Sequence, residues 1–152
     1  MTNDLRKIAA DRERLHKNHA SSRPLSKDYE YIGLKGEEEF GKEFNLELDD
    51  KLRPEGDGGR DFPSKIGIID VKTARKAYNL IVERDKVVSD VYVLAMYIDH
   101  EDSAKLLGWA TSKEVLKAPA KDFGYGIINH YIPKNDLHSI EDLKKTIGIK
   151  ER

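Results

Sequence analysis

The chain has 152 residues, 38% of them hydrophobic and 36% charged, with 27 Lys/Arg against 28 Asp/Glu and a formal net charge of −1. That is enough for one domain with a real core, and the near-neutral balance argues against a nucleic-acid binder working by bulk electrostatics, because such domains are strongly basic. The absence of cysteine excludes disulfides, thiolate zinc sites and cysteine nucleophiles; with no apolar run near the ~20 residues of a membrane span and no apolar N-terminal signal segment, a cytoplasmic protein with no membrane partner is expected.

In chain order, Asn3 to Lys17 reads as a thinly amphipathic helix with Leu5, Ile8, Ala9 and Leu15 as its stripe, broken by Ser21-Ser22-Arg23-Pro24. Residues 1–27 are therefore expected to form an N-terminal helical arm, and residues 28–152 the domain proper. His16 and His19 have no nearby residue to complete a metal site and read as solvated helix-end side chains. A second helix is predicted from about Asp28 or Ile32 to Phe44, which puts Gly33, Glu37, Phe40 and Phe44 on one face. Gly33 and Gly36 would let its backbone approach a neighbour closely; a helix starting only after Gly36 is the alternative.

Leu46 to Gly59 is acidic and turn-rich, and lacks the alternating ligands and terminal Glu of a calcium loop. Arg60 to Pro63 reads as a short strand, Pro63-Ser64 as a hairpin turn, and Lys65 to Thr73 as a strand apolar on both alternating faces, the pattern of a central strand. Tyr78 to Val82, the strongly apolar Val87 to Ile98, Lys105 to Ala110 and Phe123 to Ile132 are further strands. Thr111 or Ser112 caps a short helix through Leu116, and Asn135 or Asp136 opens a last one that Gly148 stops after Ile147. The resulting expectation is a single α/β domain with one mixed central sheet flanked by helices.

Charge is unevenly spread. Residues 1–27 carry seven Lys/Arg against three Asp/Glu, whereas residues 37–61 carry ten acids against four bases. Within the predicted central strand, Asp70 and Lys72 are two apart and so point to the same face of the sheet. Two charges in a buried strand cost several kcal/mol each unless paired, hydrated or bound to an ion. Asp49-Asp50-Lys51 and Asp142-Leu143-Lys144 share the Asp-x-Lys pattern, but in a polar loop and on a surface helix. Asp70-Val71-Lys72 also has Asp61 nine residues earlier across the hairpin, and Glu37 on the inward face of the preceding helix. Asp61 is preferred to Asp57 because Phe62 places it at a strand, while Asp57 lies between glycines. The five histidines, at 16, 19, 100, 130 and 138, lie outside this cluster, which leaves serine or histidine nucleophile chemistry without support; His130 reads as a packed strand residue.

The order helix Glu, strand Asp, strand Asp-x-Lys resembles the PD-(D/E)XK nuclease superfamily over roughly Gly33 to Ile98. The segments Gly33-Leu34-Lys35-Gly36-Glu37, Asp57-Gly58-Gly59-Arg60-Asp61-Phe62 and Ile68-Ile69-Asp70-Val71-Lys72-Thr73 look like motifs of small nuclease-like proteins of phages and prokaryotes. Leu107-Gly108-Trp109-Ala110 is similar to a less specific feature of the same group. The chain departs from the commoner pattern in having Arg60 rather than Pro before Asp61, and Asp rather than Glu at position 70. The resemblance implies a restriction-endonuclease-like core and a metal-dependent nuclease, a DNA endonuclease above all, with RNA and a homodimer left open. It also implies Asp61 and Asp70 as ligands of Mg²⁺ or Mn²⁺, Lys72 as the catalytic lysine and Glu37 as the helical acid supporting the metal. Thr73, Arg75 and Lys76, just beyond the site, would contact flanking phosphates. The alternative is a catalytically inactive nuclease-fold module in which the charges form an ion-pair network and the chain binds nucleic acid or a protein partner.

Overall fold

The computed structural model describes residues 28–46 and 61–148. The expected N-terminal arm, with His16 and His19, and the acidic turn region around Asp57 lie outside the described residues. The described part is a mixed α/β structure with two sheets and three α-helices. Helix α1 (Tyr29–Phe44) leads into β1 (Asp61–Ser64), β2 (Gly67–Ala74), β3 (Asn79–Glu83), β4 (Val91–Ile98) and β5 (Ser103–Thr111). Helix α2 (Ser112–Lys117), β6 (Ala120–Asp122), β7 (Ile128–Pro133) and helix α3 (Ile140–Ile147) complete it. No helix among the described residues is long and apolar enough to cross a membrane.

The larger sheet has the order β1-β2-β4-β5, with β2 parallel to β4 and the outer strands antiparallel to their neighbours. β2 is central, as its two-sided apolar pattern requires. One face carries Phe62, Ile69, Val71, Val91, Val93, Ala95, Leu106 and Trp109, buried under Phe40 and Phe44 of α1 and Ile140, Leu143 and Ile147 of α3. The Phe40 and Phe44 rings stack at 4.3 Å, and Phe62 meets Phe40 edge-on at 4.7 Å, so the aromatic face predicted for this helix is what seats it. The opposite face carries Tyr92, Leu94 and Ala110, covered by Leu80 and Val82 of β3 and Val115 of α2.

The expected single sheet is therefore corrected to two, the second being antiparallel with order β3-β7-β6. β3 is buried at alternating positions, so it lays its apolar side on the larger sheet as a second layer instead of adding to its edge. Three boundaries also move. The hairpin turn falls at Lys65-Ile66, where Gly67 has φ 112° and a Cβ would lie 2.3 Å from Asp90, so Pro63 and Ser64 stay in β1. The stretch expected as one strand from Phe123 is interrupted, because the Asp122 carboxylate accepts from the amides of Gly124 (2.7 Å), Tyr125 (2.9 Å) and Gly126 (3.0 Å) and closes a turn. The last helix is capped by Ser139, whose hydroxyl accepts from the amide of Asp142 at 3.1 Å; Asn135 and Asp136 lie in a preceding 3₁₀ turn, and Ile140, Leu143 and Ile147 set the start of the buried stripe. Of the two residues expected to cap α2, Thr111 does so, and its pairing with Glu114 is reciprocal; Gly148 ends α3 with φ 88°.

Candidate functional site

The strand ladder decides which side chains can meet. In the β1–β2 hairpin Asp61 is the Cα partner of Asp70, and in the parallel β2–β4 ladder Asp70 is the partner of Tyr92. Alternation then sends Ile69, Val71 and Thr73 toward α1, and Asp70 and Lys72 toward the face carrying Tyr92. The side chain of Asp61 lies outside the described residues; its backbone register sets it opposite Asp70.

Asp70 and Lys72 come together. The Lys72 ammonium is 3.0 Å from Oδ2 of Asp70, and Asp70 is 7% exposed, whereas the Lys72 side chain keeps 38% of its surface in contact with solvent. The ammonium also lies 5.9 Å from the centroid of the Tyr92 ring. Burial by itself lowers the pKa of Lys72, but the Asp70 carboxylate, followed by the phenol of Tyr29, outweighs it and holds the group above the ordinary lysine value. Paired in this way, Lys72 is held as a cation that can attract a phosphate or developing negative charge.

Glu37 is buried, at 3% exposure, on a helix that the packing of Phe40 and Phe44 places on the face of the sheet opposite Asp70 and Lys72. Its neighbour Gly36 is the point of closest approach: a Cβ there would lie 1.8 Å from the Thr73 hydroxyl. The close contact expected of the two glycines is thus made by Gly36, while Gly33 faces open space. Of the residues expected beyond the site, Thr73 is directed at α1. Arg75 is held between two carboxylates, Nη1 donating to Asp28 at 2.9 Å and Nε to Asp99 at 2.9 Å, with its guanidinium 5.5 Å from the Tyr97 ring. Lys76 is exposed. Arg75 therefore ties the start of α1 to the ends of β2 and β4.

Two further clusters involve residue pairs that sequence reading did not join. The hydroxyls of Tyr31 and Tyr97 donate to Asp102 at 2.8 and 2.6 Å, and that hydrogen bond, with burial, pushes the Tyr97 phenol up to about 12. His138 Nε2 lies 2.7 Å from Oε2 of Glu114, the same carboxylate that accepts from the amide of Thr111. Burial works to raise the Glu114 pKa, but the Thr111 amide and His138 prevail and lower it. The Thr111-x-x-Glu114 spacing was a legible capping signal; the arrival of His138, 24 residues on, had no local signature. His130 is buried with Nδ1 2.9 Å from the carbonyl of Ala118, a packed strand residue as expected.

As for metal, the hard carboxylate oxygens of Asp70 and of Asp61 across the ladder are the donor type that suits Mg²⁺ or Mn²⁺. Among the described residues, no three His, Cys, Asp or Glu side chains are grouped so as to hold an ion. Comparison with protein-family models, curated proteins and solved structures finds no match for this chain.

Proposed function

We propose that the chain is a metal-dependent nuclease of restriction-endonuclease-like architecture that hydrolyses phosphodiester bonds, DNA above all, at a site built on Asp61, Asp70 and Lys72. The observation that carries this reading is the carboxylate–ammonium pair, 3.0 Å across, on a central strand with a second aspartate opposite it in the ladder. Asp61 and Asp70 would hold Mg²⁺ or Mn²⁺, which when bound supplies an acidified water and neutralises phosphate charge. Lys72, 3.0 Å from Asp70, would place its ammonium where negative charge builds on the phosphate oxygens. Lys76 is the exposed cation for a flanking phosphate.

The test is incubation of plasmid DNA, single-stranded DNA and RNA with Mg²⁺ or Mn²⁺, comparing the native chain with Asp70→Ala and Lys72→Ala. Cleavage by the native chain that both substitutions reduce at least a hundredfold supports the reading, and equal cleavage by all three proteins refutes it. A second reading is favoured by the same pair: Lys72 already neutralises Asp70 without a metal, as in a catalytically inactive module that binds nucleic acid or a protein partner. It predicts no cleavage, with salt-sensitive retention of nucleic acid or capture of a partner chain.

A further inference from the structure

Tyr92 is wholly buried, yet it is a tyrosine where the neighbouring positions on its face of β4, Leu94 and Met96, are apolar. A phenylalanine would fill the same space with no polar atom to satisfy. The phenol is put to use. Its oxygen accepts from the amides of Val88 at 2.9 Å and Ser89 at 3.1 Å, and its hydroxyl donates to the carbonyl of Lys86 at 3.4 Å. Ser89 is buried, so without the phenol its amide would be an unsatisfied donor in the interior. The three partners belong to one short connection before β4, whose tip, Val88, is 77% exposed.

The ring has a second neighbour. Tyr92 is the ladder partner of Asp70, and the Lys72 ammonium stands 5.9 Å from the ring centroid. A lysine stem has four rotatable carbons, so the strand alone does not fix where its charge sits. Asp70 restrains it from within β2, and the aromatic face restrains it from the side of β4. One side chain thus stands beside the candidate cation and bonds an exposed turn.

We propose that Tyr92 is a positioning residue for Lys72: its ring holds the ammonium beside Asp70, and its own place is fixed by the phenol's hydrogen bonds to the Lys86–Ser89 turn. The nuclease reading supplies the reason why the position of Lys72 matters, but the placement can be tested without any cleavage.

The experiment is NMR on the full chain. The Lys72 Hε protons are identified by their loss in Lys72→Arg, and exchange of the Val88 and Ser89 amides is followed in parallel. Shielding by the ring should shift the Lys72 protons upfield of those of the exposed Lys76 and Lys105. The shift should persist in Tyr92→Phe and vanish in Tyr92→Leu. Tyr92→Phe should speed exchange of the two amides roughly tenfold, the worth of one intramolecular hydrogen bond. Native Lys72 protons resonating with those of the exposed lysines, or amide exchange unchanged in Tyr92→Phe, would overturn the proposal. Both readouts use folded protein even where Tyr92→Leu does not fold. A native chain that cleaves no nucleic acid would refute the nuclease reading alone, since these two results decide the placement of Lys72 independently.

Discussion

Replacing Gly36 by alanine tests whether the seat of α1 on β2 is a true close approach. The added methyl would lie 1.8 Å from the Thr73 hydroxyl, 3.0 Å from its Cβ and 3.1 Å from its Cγ2. Rotating Thr73 relieves this only in part, because even the rotamer that turns Hβ toward Gly36 leaves the two Cβ atoms 3.0 Å apart. With the native rotamer kept, helix and strand must separate by about 1.2 Å to bring the 1.8 Å contact to 3.0 Å. Overpacking of this kind costs ~1–3 kcal/mol, set against ~1 kcal/mol gained by exchanging glycine for alanine inside a helix, so the net expectation is a loss of up to about 2 kcal/mol in place of that gain. In a domain of this size that lowers Tm by up to about 8 °C. Among the described residues the buried Thr73 hydroxyl finds no hydrogen-bond partner, so Thr73→Ala removes the nearest obstruction and an unsatisfied group, leaving the 3.0 Å Cβ contact. The double variant should recover the loss, and a cycle of urea unfolding curves for native, single and double variants reads the coupling directly. A Gly36→Ala protein about 1 kcal/mol more stable than the native chain, or a double variant no better than the single, would refute the geometry that holds α1 against the Asp70 strand.

Gly108→Ala should destabilise by about 1–3 kcal/mol, because its Cβ would meet Leu137 Cβ at 2.7 Å and the backbone carbonyl of His138 at 2.9 Å, neither of which can swing aside. Trp109, the chain's one tryptophan, donates Nε1 to the Ser139 carbonyl at 3.0 Å, so its fluorescence should redden in that variant; unchanged emission and stability would contradict the contact. Against the opposing effect of burial, the Thr111 amide and His138 hold the folded-state pKa of Glu114 below the ordinary glutamate value, so its stabilising contribution is present above the unfolded-state value and is lost as pH falls through the lower folded-state value. The stability gap between native and Glu114→Gln, measured by urea unfolding, should therefore be present at pH 7 and shrink as the pH is lowered through the carboxylate range, and a gap that does not change over that range would exclude the ion pair with His138 as its source.

Local pattern was enough to place Asp70 and Lys72 on one face of a central strand, because side-chain alternation and two-sided burial are properties of five or six consecutive residues. The same held for the aromatic face of α1, the Thr111 cap and the Gly148 stop, each set by groups within one or two helical turns. Alternation also carries Thr73 away from Lys72, which is why it meets Gly36 of α1. What needed the tertiary structure lies far apart in sequence. Arg75 reaches Asp28 across 47 residues, His138 reaches Glu114 across 24, and Leu80 and Val82 cover Tyr92 and Leu94 as a second sheet. No periodicity announces such meetings, because they follow from how layers stack and where a crossover returns, and those are set by burying apolar faces of the whole chain at once. The ion pair on β2 was a matter of neighbours along a strand; the aromatic ring beside it became a neighbour only when β4 was laid parallel to β2.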